Sequence, residues 1–192
     1  MTSAGPGSVL QRFSHLVVSG PPGSGKTTLA RQLAAALRRP LLSKDTVKDV
    51  LMDVFPPAGP EESRAAGRAA ILSLYALARD NPGAVLESVW HNRDSVDDLV
   101  RLGTIVEVFC SCDPAVAAQR YVDRAAQRHP GHFDTAKVPT DLWNEHNSAP
   151  VAGGWPVLTV ATDEPVDIPA LVDRLVGLDR AGLGDWSAGN VC

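Results

Sequence analysis

The residues with the clearest chemistry lie near the amino end of the chain. Gly20-Pro21-Pro22-Gly23-Ser24-Gly25-Lys26-Thr27 fits the pattern G-x-x-x-x-G-K-S/T at every defined position. Glycines let a backbone wrap a phosphate and turn its N–H groups inward. A helix that opens directly behind such a loop adds a dipole favouring an anion. In that arrangement Lys26 reaches the β- and γ-phosphates of a nucleotide, the Thr27 hydroxyl ligates Mg2+, and Thr28 adds a bond to the α-phosphate. Gly20, Gly23, Ser24, Gly25, Lys26, Thr27 and Thr28 are therefore the expected nucleotide contacts. The loop alone does not say what becomes of the terminal phosphate.

Two carboxylates bear on that question. Asp45 follows the short apolar run Leu41-Leu42-Ser43. At the carboxyl end of a strand in a doubly wound sheet it faces the ligand crevice. An Asp there can accept the proton of an attacking hydroxyl, or it can simply cap a helix beginning at Thr46. Lys48, one turn on, can hold the acceptor or the travelling phosphoryl group. Glu87 closes the apolar run Ala84-Val85-Leu86. A carboxylate in that position is costly to bury unless it is paired. Beside Thr27 it can orient Mg2+ through water or bind acceptor hydroxyls; the alternative is a solvent-facing strand end. Trp90, His91 and Arg93 follow on the same edge and are expected acceptor contacts, Trp90 as a flat apolar wall. A structural role is the alternative for His91.

Arg120, Arg124 and Arg128 repeat at i, i+4 and i+8, the spacing of one helical face, where like charges repel. A triphosphate would relieve that repulsion, and the planar guanidinium fork suits phosphate oxygens. A helix carrying such a face can end in a lid that closes over ATP and excludes water. The alternative is a solvated face neutralised by Asp113 or Asp123. The turn His129-Pro130-Gly131-His132-Phe133-Asp134 can gate this lid, touch the acceptor or cap the segment.

These groups need a scaffold. The chain has 192 residues, 44% hydrophobic and 21% charged, with a formal net charge of −4. That is one soluble domain's worth of core. The acidic balance argues against nucleic acid as a partner. No apolar run approaches the roughly 18 residues of a membrane span. The first residues lack a basic-then-apolar leader pattern, so a cytoplasmic location is expected. Three cysteines are an odd number without framework or zinc spacing.

Strands are expected at 16–19, 41–43, 84–89, 104–110 and 157–161. Helices are expected from the Leu29, Leu33, Leu37 spacing to a stop at Pro40, and over 46–55, 60–79, 94–102, 113–128 and 168–178. Strands alternating with helices imply an α/β fold, a parallel sheet covered on both faces. Residues 1–11 are expected to form a loose arm, 12–179 the domain with its lid at about 113–149, and 180–192 a tail.

Taken together, the segments GPPGSGKTT, LLSKD-x-x-K, VLESVW and RYVDRAAQRHPGHFD resemble the small P-loop kinases sometimes labelled AAA-type ATP-binding proteins, a group that includes chloramphenicol phosphotransferase, zeta toxins and the kinase domain of polynucleotide 5′-kinases. The matching pieces span residues 16–134. The resemblance implies a three-layer P-loop NTPase fold with a five-stranded parallel sheet and a helical arginine lid. It implies Asp45 as general base, Lys48 as an acceptor contact, lid arginines on phosphates or adenine, and an adenine site near Thr162 and Asp163. Glu87 stands where several relatives have Asp, and Trp90-His91 is not a shared acceptor signature. The acidic pair and second helical domain of AAA motors are missing. The expected activity is ATP- and Mg2+-dependent transfer to a hydroxyl of a small-molecule acceptor, such as an antibiotic, sugar or nucleoside. Lys26, Arg124 and Arg128 would neutralise transition-state charge. The alternatives are a nucleotide or polynucleotide 5′-kinase and an ATP-binding regulatory module.

Overall fold

The computed structural model describes residues 13–91, 94–134 and 142–181. Its elements, in chain order, are β1 (His15–Ser19), α1 (Lys26–Leu37), β2 (Leu41–Ser43), α2 (Lys44–Val54), α3 (Pro60–Asp80), β3 (Val85–Glu87), α4 (Val96–Val100), β4 (Ile105–Ser111), α5 (Pro114–Ala125), β5 (Val157–Ala161) and α6 (Ile168–Ala181). The five strands form one parallel sheet in the order β2-β3-β1-β4-β5. The arm expected over 1–11 lies outside the described residues, as does the tail beyond α6.

Central strand β1 is buried along its whole length, as a parallel strand covered on both faces must be. Its side chains alternate between two cores. Leu16 and Val18 pack with Leu29 and Leu33 of α1 and Leu171 and Leu175 of α6. Val17 faces the other way, toward Leu74 and Ala78 of α3, Leu99 of α4 and Trp90. That alternation makes three layers from one sheet. Among the described residues no helix is long and apolar enough to cross a membrane.

The helix ends follow from local chemistry. Pro60 opens α3, with Glu61 and Glu62 in its first turn. Asp113 caps α5, its Oδ1 accepting from Ala115 N at 2.8 Å, and Pro114 takes the first helical position. α1 ends at Leu37, short of Pro40, because Arg38 turns left-handed at φ 53° and donates its N–H back to Ala34 and Ala35. α5 also stops early, at Ala125 rather than 128. Pro130 disfavours the helical conformation at His129, which is extended at ψ 128°. Arg128 therefore lies just beyond the helix, on the same cavity as Arg124.

Glu107 went unnoticed in the sequence. It sits fully buried in the middle of β4. Its carboxylate accepts from the Ser19 hydroxyl at 2.5 Å, from Val151 N at 2.9 Å, from Ala152 N at 3.0 Å and from Trp155 Nε1 at 2.9 Å. One buried anion thus ties the end of β1 to the segment leading into β5. Truncating it strands four donors. Glu107→Ala is expected to lose at least about 3 kcal/mol in urea unfolding, since each unsatisfied buried group costs about 1–3 kcal/mol; an unchanged midpoint would contradict this role.

Candidate active site

The phosphate-binding loop leaves β1 and feeds α1. Its three glycines occupy positive φ: Gly20 at 141°, Gly23 at 82° and Gly25 at 78°. Gly23 is also needed for packing, because a Cβ there would sit 2.0 Å from the Ala117 carbonyl oxygen of α5. Two further bonds brace the loop: Thr162 Oγ1 donates to the Ser24 carbonyl at 2.7 Å, and Trp143 Nε1 donates to the Pro22 carbonyl at 3.0 Å. Lys26 is buried. Desolvation pushes its pKa down, while Glu87 and Asp45 oppose that shift.

Glu87, at the carboxyl end of β3, is 2% exposed, so the solvent-facing alternative is excluded. Thr27 Oγ1 donates to its Oε1 at 3.1 Å and Ser43 Oγ to its Oε2 at 2.6 Å. The carboxylate therefore lies beside the hydroxyl expected to ligate Mg2+. Among the described residues no group of three or more His, Cys, Asp or Glu is placed to hold a metal ion. That donor set suits Mg2+, which keeps water and phosphate oxygens and takes one or two protein groups.

Asp45 is not a helix cap. The N-cap of α2 is Ser43, which makes no side-chain cap bond, and Asp45 stands in the first turn. Its side chain is 44% exposed to the cleft, with Oδ2 at 2.8 Å from Arg128 and Oδ1 at 3.3 Å from Lys44 Nζ. Burial of part of the group raises its pKa, but Lys44, Arg128, Lys26 and His132 outweigh this and hold the carboxyl well below its ordinary range. Lys48 is buried and donates to Ser63 Oγ at 2.8 Å. Lys26, Asp45, Lys48, His91, Arg124 and Arg128 line one cavity of about 530 Å3.

The three arginines do not act as one face. Arg120 turns away and donates to the carbonyls of Thr162 and Asp163, both at 2.8 Å. It lines a separate cavity of about 380 Å3 with Gly25, Thr28, Thr162 and Asp163. Arg124 faces the main cavity. Its Nε is buried with no hydrogen-bond partner among the described residues, as is Ser24 Oγ in the loop. Such orphaned groups suit a phosphate ligand. Arg128 bridges Asp45 and Asp134, 2.8 Å from each.

Trp90 corrects an expectation. It is 2% exposed, donates its indole N–H to the Val18 carbonyl at 3.2 Å and leans on Tyr75 at 6.0 Å. It belongs to the core below the sheet edge; it is absent from the lining of the main cavity but lines a neighbouring one with Tyr75, Val89 and His91. Arg93 lies outside the described residues.

An acidic stripe was missed, although its spacing was readable. Asp45, Asp49 and Asp53 recur at i, i+4 and i+8 along α2 and meet the segment after α5 pair by pair. Arg128 contacts Asp45, His132 Nε2 lies 2.7 Å from Asp49, and His129 Nε2 lies 3.3 Å from Asp53. The Asp49 contact assigns the His132 proton to Nε2, leaving Nδ1 to accept from Arg128 at 3.0 Å.

Burial, reinforced by Arg128, pushes the His132 pKa down to about 4. The unfolded chain binds that proton below its ordinary value of 6.5, and the folded chain resists it until about 4. Folding stability is therefore expected to fall as pH drops through that window. Thermal melts of the wild type and His132→Gln check this: the variant should be less stable at pH 7 and lose part of the slope between pH 6.5 and 4. An unaltered slope would contradict the assignment.

Comparison with known proteins agrees with this geometry. Residues 16–148 match the model of a family described as AAA domain. A provisionally assigned kinase from Chloroflexus aurantiacus superposes with a TM-score of 0.77 at 34% identity, covering 86% of this chain and 97% of that one. A gluconokinase from Sinorhizobium meliloti (TM-score 0.53, 19% identity, 87% and 92% covered) and a shikimate kinase from Acinetobacter baumannii (0.52, 17%, 92% and 98%) share the fold. A short stretch of 43 residues is 54% identical to the ESX-3 secretion system protein EccA3 of Mycolicibacterium smegmatis, covering 22% of this chain and 7% of that protein. With the loop, the sheet order and the cleft at its carboxyl edge in place, the chain belongs to the AAA domain family and has the fold of a small P-loop kinase.

Proposed function

We propose that the chain transfers the γ-phosphate of ATP, with Mg2+, to a hydroxyl of a small molecule. The observation that carries this reading is that Lys26 and Asp45, from two different elements, line the same cavity. Loop amides from Gly23 to Lys26 hold the phosphates. Adenine occupies the neighbouring cavity among Thr28, Arg120, Thr162 and Asp163. Thr27 and Glu87 hold Mg2+, which neutralises phosphate charge when bound.

Asp45 orients the acceptor hydroxyl. Because the surrounding cations keep it ionised, it is a weak base towards a free alcohol. It takes the proton late, as the new bond to phosphorus acidifies the hydroxyl; this suits the loose transition state of phosphoryl transfer. Lys26, Arg124 and Arg128 face the charge that develops there. Arg128 also fixes the carboxylate, and Lys48 borders the acceptor. The segment after α5 packs against α2 and walls one side of the cleft; keeping water out of it would protect the phosphoryl group. The fold shared with a gluconokinase and a shikimate kinase is in keeping with a small-molecule acceptor; a sugar, antibiotic or nucleoside is what the sequence resemblance implies. Such a reaction belongs in the cytoplasm, where ATP is available.

Incubation with ATP, Mg2+ and a metabolite and antibiotic panel, read by mass for a phosphoryl adduct, tests the reading. Lys26→Ala should lower transfer about 100- to 1,000-fold and weaken nucleotide binding. Asp45→Asn should lower kcat about 100- to 10,000-fold while nucleotide affinity stays within about threefold. Near-normal turnover of Asp45→Asn would remove Asp45 as the base.

A further inference from the structure

A second cavity, of about 460 Å3, opens beside the main one between α3 and the segment after β3. Lys44, Arg64, Val89 and His91 line both, so a ligand of sugar size can span them. No residue of the phosphate-binding loop reaches this second cavity. Its cations are therefore not part of the triphosphate cradle.

Those cations are Lys44, Arg64 and Arg68. Arg64 and Arg68 stand one turn apart on α3, exposed, and neither forms an ion pair among the described residues. Gly67 lies between them, and the Lys44 ammonium reaches this stretch of α3, 3.7 Å from where a Cβ at Gly67 would stand. Lys44 Nζ has Asp45 Oδ1 at 3.3 Å, whereas Arg64 and Arg68 repel each other and an anion between them would relieve that. The opposite wall carries Asp94 and Asp98, and Asp98 Oδ1 already accepts from Arg101 at 2.9 Å. Carboxylates are acceptors for hydroxyl groups. In the main cavity Glu87 lies beside Lys26, Asp134 bonds Arg128 and Asp45 meets Lys44, so of the cations shared by the two cavities Arg64 is the one with no ion pair among the described residues.

We infer that the acceptor is a polyhydroxylated small molecule bearing one oxyanion group, a carboxylate or a phosphate. Lys44, Arg64 and Arg68 hold that group in the second cavity, and the hydroxyl to be phosphorylated reaches Asp45 in the first. This rests on the phosphotransfer reading and narrows its acceptor class. An uncharged antibiotic would leave the arginine wall unpaired.

The test uses the whole chain saturated with Mg2+ and AMP-PNP, which occupies the loop without transfer. It is titrated calorimetrically with ribitol, ribonate and ribitol 5-phosphate, a neutral, a carboxylate and a phosphate form of one carbon skeleton. At least one charged form should bind tenfold or more tighter than ribitol, and which one does so distinguishes carboxylate from phosphate. Arg68→Gln, and Arg64→Gln with it, should remove most of that advantage. Equal binding of all three, no saturable binding of either acid, or a preference that survives both substitutions would overturn the inference. AMP-PNP binding in the same samples separates the failures: if it binds and the charge preference is absent, the acceptor class is wrong; if it does not bind, the phosphotransfer reading fails first.

Discussion

A buried carboxylate at the end of β3 sets the geometry of the cleft. Glu87 receives a hydroxyl from Thr27 at the start of α1 and another from Ser43 at the end of β2. The cation of Lys26 lies close enough to offset its charge. A buried anion is tolerated only with such company. The bonds join the phosphate-binding loop to the start of α2, and Asp45 follows Ser43 by two residues. The separation of the glycine-rich loop from Asp45 is thus fixed by neighbouring strands of one sheet, not by a loop.

The other wall of the cleft is held by polar contacts, one of them an ion pair. The acidic stripe of α2 pairs with Arg128, His132 and His129, and a buried histidine kept neutral spaces Arg128 from Asp49. Arg128 thereby meets Asp45 and Asp134 at once. Arg124, behind it, keeps a buried Nε without a partner among the described residues. That contrast fits a division of labour in which one arginine positions the carboxylate and the other awaits phosphate oxygens.

Much of this was legible in the sequence where local chemistry decides. The loop spacing, the Asp113-Pro114 cap and the Pro60 helix start all appear as read, because each depends on residues within one turn. The five strands also emerged from short apolar runs. Failures came where tertiary contacts decide. Periodicity put Arg120, Arg124 and Arg128 on one face, but Arg120 is drawn to the β5–α6 loop and Pro130 ends the helix before Arg128. Trp90 looked fully available, but it packs mostly in the core and lines the second cavity, not the main one. Glu107 looked like an ordinary strand residue because its four donors come from segments distant in the chain. Asp49 and Asp53 offered helical spacing, but their partners lie some eighty residues away.

The central claim is that the loop and Glu87 together hold a magnesium–nucleotide complex facing Asp45. Calorimetric titration of the whole chain with ATP, with and without Mg2+, tests it most directly. The account predicts saturable one-to-one binding that tightens when Mg2+ is present. No heat of binding by folded protein under either condition would contradict it.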